Sequence, residues 1–185
     1  EIMEPVMAKV DGVGSAGTLE AGGTINGNIV IASGGLFKSS NNTGSNHYLT
    51  VNGSFAANTG SQVELSLAAK PGAGIKVTDT VNINGAINLT GIGSSGIYTL
   101  FKTDSNTLDT TGAALTASGY NARLQTIDNG KTLQVVLVQG GQYLQTWNGG
   151  AGAKWDNTGT HWLDPINHPP TRQAWLDLTG NVAVL

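Results

Sequence analysis

The sequence predicts an all-β chain whose short strands wind as a solenoid. Three observations lead there: a composition that favours turns over helices, apolar residues that alternate with polar ones, and a motif that returns roughly every 25 to 30 residues. Of 185 residues, 27 are glycine, and only 11% are Asp, Glu, Lys or Arg, against about 25% in ordinary globular domains. Polarity therefore rests on Asn, Ser, Thr and Gln, which suit strand exteriors and bends better than helix interiors.

Taken in order, the first run places Ile25, Ile29 and Ile31 on one face around Gly27, with Asn26, Asn28 and Val30 between them. The second places Leu49, Val51 and Phe55 around Gly53, separated by Thr50, Asn52 and Ser54. Shorter strands fit at 63–67 and 75–77. The third run sets Val81, Ile83, Ile87 and Leu89 around Gly85, with Asn82, Asn84 and Asn88 on the opposite face. All three read as half-buried strands of period two.

These runs share a core: INGNI at 25–29, VNGSF at 51–55 and INGAI at 83–87. Asn-Gly is also the strongest two-residue hairpin signal. Alternation nevertheless continues in phase through each glycine, which favours a strand that bends and goes on over one that reverses. A β-sandwich built of hairpins at the three Asn-Gly pairs is the competing architecture. Further strands fit at 97–101 and 133–138. The segment TIDNGKTL reads as a true hairpin tip, Asp128 to Lys131 separating two β-rich runs. The longest helix candidate, Thr111 to Ser118, is short and bounded by glycine.

From about Gln139 the composition changes, dividing the chain into coils at 1–140 and a Trp-rich unit of loops and strands at 141–185. All four tryptophans, Trp147, Trp155, Trp162 and Trp175, lie in the second part with most of the prolines, and the closing TGNVAVL reads as a strand that continues in a longer parent.

Several function classes lack their signatures. The net charge is -3 and the cations are scattered from Lys9 to Arg172, so nucleic acid is not an expected partner. No stretch approaches the roughly 20 apolar residues of a membrane span, and EIMEPVMAKVDG has neither the basic nor the apolar region of a signal peptide. With no cysteine there is no disulfide framework and no thiolate metal site. No G-x-S-x-G occurs, and His47 reads as a polar loop histidine. His161 and His168, separated by Pro165, do not have the spacing of a zinc site. Glycoside cleavage needs two carboxylates facing one bond, and Glu20, Glu64 and Asp79 would meet only by chance of register. No catalytic residue, metal or cofactor is expected.

The ladder of Asn/Gly/Thr-rich strands, GIYTLF at 96–101, DNGKTLQVVL at 128–137 and the series W-x-G-G, W-D, H-W, A-W-x-x-x-x-G-N-V-A-V together resemble the passenger region of bacterial autotransporters. Trp147, Asn148, Gly149, Trp155, Trp162, Trp175, Gly180, Ala183 and Val184 match the opening of a passenger repeat unit. His161 stands where that series usually has asparagine, and Leu185 where it has an aromatic. The resemblance implies a right-handed parallel β-helix, exported to the cell surface or secreted through an outer-membrane barrel lying outside this sequence. It further implies a stalk or adhesin facing host-cell glycans, extracellular matrix or other copies of itself. The alternative is a polysaccharide-active enzyme or carbohydrate-binding module on the same scaffold.

For the tryptophans, the functional reading is a glycan platform, since indole faces stack on sugar rings while nearby Asn, Asp and Thr meet hydroxyls. The competing and preferred reading is that the large rings fill the space where two stacked units meet. Outward Asn82, Asn84 and Asn88 are candidates for lateral pairing with another copy.

Overall fold

The computed structural model describes residues 8–10, 17–39, 49–68, 74–105, 108–149, 159–166, 171–173 and 182–184. Among them every regular element is a strand. The chain winds a β-solenoid of about three turns, three strands to a circuit. β1 (Ala8–Val10), β2 (Thr18–Ala21) and β3 (Thr24–Asn26) come first, followed by β4 (Ile29–Ile31), β5 (Leu36–Ser39) and β6 (Thr50–Asn52). β7 (Phe55–Ala57), β8 (Gln62–Ser66) and β9 (Ile75–Val77) repeat the pattern, as do β10 (Val81–Ile83), β11 (Ala86–Thr90) and β12 (Gly96–Thr103). β13 (Leu108–Asp109) and β14 (Ala114–Ala117) begin one more circuit.

Stacking is parallel and in register. β1, β4, β7, β10 and β13 form the first sheet, β2, β5, β8, β11 and β14 the second, and β3, β6, β9 and β12 lie in the third. Ile29 pairs with Phe55 and Phe55 with Val81, a step of 26 residues each time. Parallel pairing excludes the hairpin sandwich, whose strands would be antiparallel.

The expected alternation holds through the corners: Ile29, Ile31, Val51, Phe55, Val81, Ile83, Ile87 and Leu89 all point into one core. Through that core runs a chain of rings. Phe37 of β5 meets Phe55 of β7 edge-on at 5.2 Å, and Phe55 meets Phe101 of β12 at 5.1 Å, so three coils are tied together by three rings.

The three Asn-Gly copies are not equivalent, which corrects the single-repeat expectation. Gly27 and Gly53 stack at the corner between third and first sheets. Both have positive φ, 129° and 155°, and a β-carbon on Gly53 would sit 2.6 Å from the carbonyl oxygen of Gly27. The next residue in that column is Asp79, since Val51 pairs with Val77 and Phe55 with Val81. Gly85 belongs to another corner, between first and second sheets, where the path from Ile83 to Ile87 is two residues shorter than that from Ala57 to Val63 in the coil before. A short corner draws the backbone inward, and only glycine fits there.

Corner side chains are partly satisfied by their neighbours one coil away. Asn52 Nδ2 donates to Asn26 Oδ1 at 2.7 Å, the Ser54 amide to Asn28 Oδ1 at 2.8 Å, and Ser54 Oγ to Asp79 Oδ2 at 3.0 Å. The outward asparagines also have partners within the chain: Asn84 donates to Asn82 at 2.7 Å and Asn88 to Gln62 at 3.4 Å.

The solenoid ends in a hairpin. β15 (Tyr120–Ile127) and β16 (Thr132–Gln139) pair antiparallel, and β16 also pairs antiparallel with β12, which closes the third sheet. The tip falls where the sequence places it: Asp128, Asn129 and Gly130 take φ of 54°, 55° and 83°, and Thr132 Oγ1 donates to Asp128 Oδ2 at 2.8 Å. Asn, Asp and Gly tolerate that left-handed backbone best.

Beyond it lies a four-stranded sheet in the order β19, β18, β17, β20, comprising β17 (Leu144–Trp147), β18 (Trp162–Asp164), β19 (Thr171–Gln173) and β20 (Val182–Val184). The run QVVLV explains how it docks. Leu133, Val135 and Leu137 of β16 face the solenoid core, while Val136 and Val138 face a second cluster with Leu144, Ile97 and Ile166. A strand buried on both faces needs a continuous apolar run.

Candidate functional site

The Trp unit is built on the β17–β18 pair. Trp147 and Trp162 are direct cross-strand partners, and such partners project from one face of the sheet. Their rings meet edge to face, 5.1 Å apart at 70°, and the His161 ring lies 5.5 Å from Trp147. The Asn148 amide donates to the His161 carbonyl at 2.8 Å, extending the pairing one residue.

The two rings differ in what they offer. Trp162 is 0% exposed and has no face on which a sugar could stack, whereas Trp147 is half-buried. Edge-to-face packing of this kind contributes about 0.5–1.5 kcal/mol beyond area burial, which suits a ring that plugs a joint. Trp155 and Trp175, together with His47 and His168, lie outside the described residues.

The candidate acids do not converge on a bond. Glu20 and Glu64 share the outer face of the second sheet, but Lys38 of β5 stands between them, paired with Glu20 in register and 3.5 Å from Glu64 through its ammonium. The two carboxylates are thus two strand spacings apart, roughly 9–10 Å at the backbone, with a cation in the gap. Asp79 lies at the far corner, engaged by Ser54. Among the described residues no three His, Asp or Glu are placed to hold a metal ion, and no helix is long and apolar enough to cross a membrane.

One feature that the sequence reading missed is the seam between hairpin and Trp unit. Arg123 of β15 donates from Nε to the carbonyl of Pro165 and from Nη2 to Gln125 at 3.2 Å. Partial burial lowers its pKa from the ordinary arginine value, while the nearby Asp164 carboxylate acts in the opposite direction. Asp164 is itself only 6% exposed and accepts from the Ile166 amide at 3.0 Å. Ser95 Oγ donates to Gln142 Oε1 at 2.7 Å and accepts from the Gln139 amide at 2.9 Å. The Arg123–Pro165 contact and both Ser95 contacts link residues more than 40 positions apart, so no local motif advertised them.

The strand pairing of this unit has a further property. β17 pairs antiparallel with β18, and β18 with β19, yet β17 pairs parallel with β20, Leu144 opposite Val182 and Thr146 opposite Val184. A parallel step resumes across 38 residues, with antiparallel strands inserted in the circuit. Comparison with known proteins finds no matching family model, no matching curated protein and no matching solved structure.

Proposed function

We propose that this chain is a stretch of an exported bacterial autotransporter passenger, serving as a cell-surface stalk that carries an adhesive face. The observation that carries this reading is the resumption of parallel pairing between β17 and β20 after an antiparallel hairpin has closed the preceding solenoid. A repeat unit opening at the Trp series would require that step, and the Trp147–Trp162 pair sits at its start. The 26-residue coil adds support, because a rod assembled from neighbour contacts can grow from one end during passage through a pore.

On this reading the helix faces and the Trp unit meet host glycans, matrix or other copies, and the buried Trp162 fastens the joint. Trp147 is the described tryptophan with surface to contribute to a glycan.

The test is display. The chain is placed between a signal peptide and an outer-membrane autotransporter barrel, and intact cells are treated with protease and scored for clumping and for attachment to glycan- and matrix-coated surfaces. Surface cleavage with added clumping or attachment is the expected result. Retention in the periplasm would overturn the export reading, and display without any attachment would remove the adhesive role.

A further inference from the structure

We propose that the solenoid dimerises through the open edge of β15, which pairs antiparallel with β15 of a second copy about a two-fold axis at Leu124. β15 is the outermost strand at its end of the rod. The first and second sheets stop one strand past β10 and β11, at β13 and β14, whereas the third runs two strands past β12. The register of β15 with β16 is unbroken over eight pairs, so no bulge turns the edge away, and the strand holds neither lysine nor proline. Bulges, lysine and proline are the usual guards of an exposed edge.

The ladder shows which backbone groups are open. Residues opposite each other in an antiparallel pair alternate between those that exchange hydrogen bonds and those that do not. The Gly140 amide donates to the Gly119 carbonyl at 3.4 Å, and these two stand opposite each other one step beyond Tyr120 and Gln139. The odd-numbered residues of β15 therefore bond to β16, while Tyr120, Ala122, Leu124 and Thr126 turn their N–H and C=O groups outward. Those four meet no partner on that side among the described residues. A strand laid along the edge would satisfy them.

Side chains make a second copy the occupant. Tyr120, Ala122 and Leu124 pack on the end of the core together with Leu108, Ala113 and Leu115, and all six are only partly buried. A two-fold axis perpendicular to the sheet keeps the core faces of both copies on one side, so two such ends would cover each other. Charge selects the register. Two alignments pair seven residues of β15 with seven of its copy. One sets Arg123 opposite Arg123 of the second copy, and like charges directly opposite destabilise a sheet. The other sets Leu124 opposite Leu124, Arg123 opposite Gln125 and Asn121 opposite Ile127, and engages the outward groups of Ala122, Leu124 and Thr126. It also shields Ile127, which is 38% exposed in the single chain. The proposal rests on strand geometry and does not depend on the export reading.

Because the chain has no cysteine, disulfide trapping tests it without background. Asn121→Cys and Ile127→Cys, both at exposed positions, are prepared separately on the whole chain and oxidised alone and mixed. Sedimentation equilibrium is run in parallel on the parent and on Thr126→Pro, whose ring removes an outward donor and leaves the bonds to β16 intact. The expected result is a concentration-dependent dimer of the parent and a disulfide-linked dimer in the mixture but in neither variant alone. Thr126→Pro should dimerise about tenfold or more weakly with its circular dichroism melt unchanged. A parent that stays monomeric up to about 1 mM would overturn the proposal. So would a dimer that Thr126→Pro leaves undiminished, or cysteine variants that link to themselves as readily as to each other, since either places the contact elsewhere. Should Thr126→Pro fail to fold, the disulfide pattern still decides.

Discussion

A β-carbon built on Gly85 would lie 2.3 Å from Ser61 Oγ and 2.7 Å from the Ser61 carbonyl oxygen. The hydroxyl could rotate away, but the carbonyl belongs to the corner backbone one coil back, where it accepts from the Ala86 amide at 2.9 Å. Gly85→Ala is therefore expected to lower stability by about 1–3 kcal/mol, read as a shift in the urea midpoint. Gly93→Ala, where an added carbon meets nothing within 4 Å, should leave that midpoint within about 0.5 kcal/mol of the parent. A second residue-scale expectation concerns Asp109. Its pKa is lowered by the Thr111 hydroxyl at 2.6 Å and then by the Thr111 amide at 2.9 Å. A depressed folded value means the carboxylate favours the native state above the unfolded pKa, and this contribution fades as pH falls through the folded pKa. NMR titration should find Asp109 below the ordinary aspartate range, and Thr111→Val should raise it towards that range.

At the scale of elements, the ring chain Phe37, Phe55 and Phe101 predicts that Phe55→Ala is more damaging than a typical core truncation, because the central ring touches both others. A loss of about 3–5 kcal/mol is expected, and calorimetry of the variant would measure it. Leu at that position should recover part of it by refilling volume. Much at this scale was legible beforehand. The 75–77 strand, the Asp128 to Lys131 tip and the β16 run were marked by β-branched alternation and turn residues, which are local signals. The equivalence of the Asn-Gly motifs was misread because local sequence does not say which corner a glycine turns, and only the column through Gly27, Gly53 and Asp79 reveals it. β5 and β14 passed unnoticed, LFKS and ALTA being too short to establish a period. In the candidate site, the Trp cluster stood out by composition, whereas burial of Trp162 and the Arg123–Pro165 contact arise from long-range packing and left no trace in spacing.

For the whole molecule, the solenoid's stability should grade along its axis. Leu19 and Ile25 in the first circuit are only partly buried, while Phe55, Val81 and Ile87 in later circuits are completely so. In a stack held by neighbour contacts this gradient maps onto local opening. Hydrogen exchange should therefore show amides of β7, β8, β10 and β11 as the slowest and those of β2 and β3 as the fastest. Uniform protection across these strands would instead indicate that the stack opens as one unit.

The antiparallel register of β12 and β16 bears on how tension would travel through the chain. Gly96, where the path enters β12, lies opposite Leu137, close to where the path leaves β16 towards the Trp unit. Pulling on the two sides of this junction would load its hydrogen bonds one pair at a time from that end, as a zipper opens, and not all together in shear. The parallel coils have no such arrangement, since successive strands there run in the same direction. Under stretch the seam beside the Trp unit would be the first to yield, releasing the hairpin's length as slack while the coiled rod stays wound.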